Sequence, residues 1–177
     1  MTSITADYAP VDKLDLTKYV GRWYQVYKNR FDNTFQGGGT CAVADYQLVD
    51  TAVTVSNNQI NKDGSLGQIK GSAFYSPGNT GGELTVSLDG VPREAPYWVI
   101  EIGPVKDNQY EYSIVSDNNR FSLFVLARNV TQYYEEYDEM VQASLKSYGF
   151  TNALNKPITL SQEDCDYSRY DTDTSSV

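Results

Sequence analysis

Between residues 21 and 128, apolar and polar residues alternate in short runs, broken every eight to twelve positions by turn residues. Period-two alternation at this spacing predicts the half-buried strands of a sandwich or barrel. Eight strands are expected, at 22–30, 41–49, 52–60, 66–76, 83–89, 95–103, 109–117 and 120–128. Lys62-Asp63-Gly64, Pro77 to Gly82 and Asp117-Asn118-Asn119 read as tight connections, so successive strands run antiparallel. Leu14 to Val20 forms a short helical turn before the first strand. After the last strand the period changes: Tyr134, Tyr137, Met140, Val141, Leu145 and Tyr148 fall at helical spacing, with Thr131 as the cap, Ser147 near the end and Gly149 as the stop. The expected fold is all-β, an eight-stranded antiparallel up-and-down barrel with one C-terminal α-helix packed outside. Residues 1–13 read as an arm, 14–165 as barrel plus helix, with a short strand near Pro157 to Leu160, and 166–177 as a disordered acidic tail.

The phase of each strand predicts its inward face. Val53, Val55 and Asn57 form one such set, Ile69, Gly71, Ala73 and Tyr75 the next, and Leu84, Val86 and Leu88 a third. On 95–103, Tyr97 and Val99 share one phase and Trp98, Ile100 and Ile102 the other, so both faces need cover, the outer one from the helix. The first connector, Phe31 to Thr40, is long and ends in a glycine run. That run opens a strand rather than a helix, which argues against a phosphate cradle and for a lid carrying Phe31 and Phe35.

Composition then removes chemistries. The chain of 177 residues contains no histidine, which excludes histidine-based triads, histidine-ligated haem and the usual zinc hydrolase sites. A net charge of −9 disfavours nucleic acid and anionic lipid. No run of eighteen apolar residues exists and Met1 to Pro10 lacks an apolar stretch, predicting no stable membrane insertion and a chain that is either cytosolic or already processed. Cys41 and Cys165 have no metal spacing, leaving a long-range disulfide or two inert thiols, and no metal site is expected. Fifteen tyrosines suit a surface that is apolar yet able to hydrogen-bond.

Gly21-Arg22-Trp23-Tyr24, following the turn at Leu14 to Val20, resembles the lipocalin signature, and Leu126-Ala127-Arg128 resembles that family's last motif. Cys41 to Tyr46, Val55-Ser56-Asn57, Gly71-Ser72-Ala73 and Tyr97 to Ile100 are similar to the branch of apolipoprotein D, bacterial lipocalins and insect bilin-binding proteins. Two departures stand out. Lys106-Asp107-Asn108-Gln109-Tyr110 replaces the family's middle motif, and the branch's second disulfide has no cysteines here.

The resemblance implies structural roles for Gly21, Trp23 and Arg128, a Cys41–Cys165 disulfide, and carriage of a small hydrophobic ligand: a bilin or other pigment, a fatty acid, a retinoid or a sterol. The expected binding residues are Tyr46, Val53, Val55, Asn57, Ile69, Ala73, Tyr75, Leu84, Val86, Tyr97, Val99, Ser113, Val115, Arg120, Ser122 and Phe124, with Arg120 near the mouth. No cofactor is required beyond a bound bilin or lipid, and the expected setting is secreted or periplasmic. An enzyme is not expected. The alternatives are an isomerase using tyrosine and Glu101, which shares Val99's inward phase, and a membrane or partner contact through Phe31 and Phe35. Oligomeric state is left open, as is glycosylation at the Asn129-Val130-Thr131 sequon.

Overall fold

In the computed structural model, which describes residues 7–32, 34–35 and 38–170, eight antiparallel strands close into a barrel. They are β1 (Gly21–Lys28), β2 (Gly39–Val49), β3 (Ala52–Asn61), β4 (Leu66–Tyr75), β5 (Glu83–Leu88), β6 (Ala95–Ile102), β9 (Tyr112–Ser116) and β10 (Phe124–Ala127). Neighbours pair in sequence order, and β10 closes the ring on β1 with Tyr24 opposite Ala127 and Lys28 opposite Phe124. Closure matters because an open edge would leave a row of unpaired backbone groups.

Two expected strands are shorter. The 109–117 segment divides: Gln109–Tyr110 (β8) pairs with Val105–Lys106 (β7) in a separate hairpin, and only Tyr112–Ser116 joins the barrel. Asp107 and Asn108 form its turn at positive φ, a conformation that Asn and Asp tolerate better than most residues. The 120–128 segment pairs only from Phe124, because the Asp117 carboxylate accepts hydrogen bonds from the backbone N–H groups of Asn119, Phe121 and Ser122 and curls residues 117–122 into a loop.

Burial divides into two layers. Inside the barrel, Trp23, Tyr46, Val53, Val55, Ala73, Leu84, Val99, Val115 and Leu126 pack with Leu14, Leu16 and Tyr19. Outside, Val26, Tyr27, Ile100, Tyr112, Ile114, Leu123 and Val125 pack against Tyr133, Val141, Leu145 and Phe150. Each fully buried side chain of this size contributes roughly 1.5–3 kcal/mol of apolar burial. The outer layer therefore fixes the helix to the wall while the inner layer fills the lower barrel.

The helix departs from expectation at its start. Asn129, not Thr131, is the cap: its side-chain oxygen accepts from the Gln132 N–H at 3.0 Å, opening α2 (Val130–Gln132). A π-helical turn at Tyr133–Tyr137 precedes α3 (Asp138–Ser147), and its wider winding shifts the apolar phase. Tyr133 is consequently buried, whereas Tyr134 and Met140 are exposed.

The expected tail also begins too early. A 3-10 turn at Tyr167–Tyr170 docks on the barrel, with the Tyr170 hydroxyl donating to the Cys41 carbonyl and the Tyr167 ring edge-on to Tyr24. Cys41 and Cys165 are joined by a disulfide at a Cα separation of 5.6 Å, which holds this segment against β2. Only 166–170 of the expected tail can be compared, since 171–177 lie outside the described residues, as do Asn33, Gln36 and Gly37 of the expected lid. The short strand near Pro157 is present as β11 (Ile158–Thr159), paired to the end of β1.

The arm docks too. Its Val11 N–H donates to Val99 and its carbonyl accepts from Gly82, a backbone bridge between β6 and the turn before β5.

Candidate functional site

One end of the barrel is closed from the sequence upward. Asp15 caps the four-residue helix α1 (Leu16–Tyr19) by accepting from the Thr17 N–H, and Leu16 and Tyr19 face the interior. Gly21 follows at φ +101°, and a Cβ there would meet Gln109 Nε2 at 2.8 Å and Arg128 Nη1 at 3.2 Å, so glycine is required. Trp23 is fully buried and donates through Nε1 to the Tyr19 carbonyl at 2.8 Å.

The Arg128 guanidinium lies 3.6 Å from the Trp23 ring centre. It donates to the carbonyls of Lys18, Tyr19, Val20, Arg22 and Tyr110 at 2.9–3.1 Å. A half-buried cation is tolerable when its donors are satisfied in this way. Burial lowers its pKa, yet the group remains charged at neutral pH.

Above this floor is a cavity of about 270 Å³, reaching solvent past the exposed Val91, Ala95 and Pro96. Eleven expected binding residues line it: Tyr46, Val53, Val55, Asn57, Ala73, Leu84, Val86, Tyr97, Val115, Ser122 and Phe124. Leu16, Tyr19, Gln25, Ala42, Ala44, Leu88 and Ser116 also line it, though the expected set omitted them. Leu88 belongs to the inward phase read for its strand, and Gln25 and Leu126 share the phases of Trp23 and Phe124. The contribution of α1 had no signal, because a four-residue helix gives no period to read.

Five expected residues are elsewhere. Tyr75 reaches the closed end, donating to the Leu14 carbonyl at 2.6 Å. Val99 and Ser113 are fully buried in packing that does not open onto the cavity. Ile69, opposite Asn57, is half-buried and does not reach the wall. Arg120 is not at the mouth: it sits at φ +57° in the 117–122 loop and lies on the outside, 4.1 Å over the Tyr8 ring of the arm.

Glu101 also faces outward. A bulge between Val99 and Glu101 inserts Ile100 and reverses the phase, so Glu101 accepts from the hydroxyls of Tyr112 and Tyr148 at 2.9 Å each, while Ile102 joins the inner core. A second bulge between Gln25 and Tyr27 turns Tyr27 outward, where it donates to Asp138. The proposed acid-base use of Glu101 inside the barrel is thereby removed.

At the mouth, Phe35 and Thr34 line the cavity, while Phe31 stacks on Phe121 with ring centres 4.0 Å apart. At the cavity floor the Tyr46 hydroxyl bonds that of Tyr97 at 3.1 Å. Tyr97 bonds Tyr19 at 2.9 Å, and Tyr19 bonds the Ser113 hydroxyl at 3.0 Å. Desolvation raises the pKa of all three tyrosines, Tyr19 to about 12 and Tyr97 well up, so they are neutral hydrogen-bonding groups at physiological pH. Among the described residues no ionised side chain lines the cavity, and no cluster of groups suited to a metal ion is found.

A family model described as a lipocalin-like domain matches residues 14–158. The outer membrane lipoprotein Blc of Vibrio cholerae is 33% identical over 148 residues, 82% of each chain. Mouse apolipoprotein D is 32% identical over 90 residues, 50% of this chain and 46% of that relative, so the match spans about half its length. Insecticyanin from the tobacco hornworm Manduca sexta has the same fold, with a TM-score of 0.66 at 19% identity, covering 93% of this chain and 89% of that one. With the matched domain spanning the closed floor, the barrel and the start of β11, the chain belongs to the lipocalin family.

Proposed function

We propose that this protein binds and carries a small, neutral, mainly apolar molecule in its barrel. Lipocalins are known for binding small hydrophobic ligands. The observation that carries the finer reading is the cavity wall, which is apolar with amide and hydroxyl groups and no ionised side chain among the described residues. A pocket built this way orients a ligand through a few polar groups and gains affinity from burial. A carboxylate taken into it would lose its hydration with no cation to meet it. Fatty acids and bilins would therefore have to leave their acid groups at the mouth, and the volume of about 270 Å³ lies at the small end for ligand sites, favouring a compact occupant.

Tyr46, Val55, Asn57, Ala73, Val86, Tyr97 and Phe124 are the contacts this reading assigns, with Phe35 as the lid. Relatives that bind or carry rather than react support a non-enzymatic role. The disulfide suits an oxidising compartment, and with Blc named an outer membrane lipoprotein it supports an extracellular or periplasmic setting.

The test is fluorescence titration with the neutral probe N-phenyl-naphthylamine. Saturable binding at one site per chain, weakened by Val86→Asp, is expected. Binding that is absent, or unchanged in that variant, would refute the reading.

A further inference from the structure

The four hydroxyls of Ser113, Tyr19, Tyr97 and Tyr46 form an unbranched chain of three hydrogen bonds. Each hydroxyl carries one proton, and each bond uses one. Four protons in three bonds leave one O–H without an acceptor, whichever way the chain is oriented. The side chains of these residues have no other hydrogen-bond partner among the described residues.

The position of the spare proton is decided by desolvation. Ser113 is fully buried and does not reach the cavity, so a free O–H there would go unmet. Tyr19, Tyr46 and Tyr97 line the cavity, where water or a ligand can accept it. An unmet buried donor costs about 1–3 kcal/mol, enough to hold the proton on the cavity side. The positive charge of Arg128 below the floor acts on Tyr19 and Tyr46 and strengthens their O–H groups as donors.

Resting on the carrier reading above, we infer that the cavity floor is an oxygen-recognition subsite. It donates one hydrogen bond from Tyr19, Tyr46 or Tyr97 to an uncharged oxygen acceptor at the deep end of the ligand, such as a ketone, ester or amide carbonyl. The ligand class is thus an apolar body ending in a neutral carbonyl, inserted oxygen first. A pure hydrocarbon leaves the donor unmet, and a carboxylate brings a charge that the floor does not neutralise.

The test uses three probes of matched length, methyl decanoate, undecane and decanoate, displacing N-phenyl-naphthylamine from the wild type and from Tyr19→Phe, Tyr46→Phe, Tyr97→Phe and the triple variant. In the wild type the ester is expected to bind tighter than undecane and decanoate by roughly 3- to 10-fold, the worth of one hydrogen bond. The triple variant, its fold checked by circular dichroism, is expected to lose that preference. An ester preference that survives in the triple variant would overturn the subsite while leaving the carrier reading intact. Failure of all three probes, with no binding of the fluorophore, would overturn the carrier reading and the subsite together.

Discussion

Each end of the barrel carries a stacked aromatic ring, and the two are held differently. At the closed end, Arg128 and Trp23 are stacked and sealed, with five carbonyls converging on one guanidinium. At the open end, Phe31 and Phe121 stack with ring centres 4.0 Å apart, but Phe121 is 52% exposed, and Asn29, which accepts from the Phe31 N–H and donates to the Phe121 carbonyl, ties their backbones rather than their rings. Stacking alone gives an aromatic pair roughly 0.5–1.5 kcal/mol beyond its burial, whereas satisfied donors in a dry site make a contact costly to break. The difference teaches that satisfied polar contacts hold the aromatic ring at one end, while at the other the rings are held by stacking alone.

The strongest way to break this contrast is Arg128→Ala. It takes one donor from each of five carbonyls, of which those of Tyr19 and Val20 keep Trp23 and Gln109, and it removes the stack; we predict a loss of about 3–5 kcal/mol, read as a lowered midpoint in denaturant. A change below about 1 kcal/mol would show that the closed end is not the anchor.

Raising the pH sharpens it next. Tyrosines whose folded pKa is raised keep their protons while those of the unfolded chain ionise, so their stabilisation is present below about pH 10 and declines as pH climbs through the folded values. Tyr19, at about 12, accounts for roughly 2–3 kcal/mol of this by itself. We predict a flat profile through neutral pH and a fall above pH 10. In Tyr19→Phe that fall should be shallower.

Asn129 starts the helix directly after the closed-end arginine, and Asn129→Ala should cost about 1 kcal/mol through the lost cap. Thr131→Ala should cost less than that, and the reverse order would restore Thr131 as the cap.

The smallest stability effect is expected at the mouth. Phe31→Ala should change unfolding free energy by less than about 1 kcal/mol while speeding release of the bound fluorophore in stopped flow, because it loosens only the open-end stack. A large stability loss with unchanged release would make the rim part of the core instead.

The closed end was more legible in the sequence than the wall. Gly21, Trp23 and Arg128 form a spaced signature, and strands β3 to β5 alternate cleanly, so Val53, Val55, Ala73, Leu84 and Val86 fall where their phase predicts. Phase reading failed where one residue is inserted. By alternation Tyr27 shares the side of Trp23 and Glu101 that of Val99, but the bulges at Val26 and Ile100 turn both outward, and neither bulge carries a glycine or any other compositional mark. The π-helical turn did the same to Tyr133 and Tyr134.

Arg120 and Tyr75 were misplaced for a different reason. Their positions depend on contacts with the arm and the Leu14 carbonyl, partners about 112 and 61 residues away, which no local pattern encodes. Tyr167 and Tyr170 sit in a polar, acidic stretch that reads as disordered, and their docking beside the disulfide is tertiary in the same way.

The central claim, that the barrel carries a neutral apolar molecule, is tested most directly by mass spectrometry of organic extracts from natively purified protein. The comparison is the wild type against Ala73→Trp, which fills the cavity wall. The account predicts a neutral compound near one per chain in the wild type and its absence from a variant that still melts cooperatively. Recovery of the same compound at equal yield from both would contradict it.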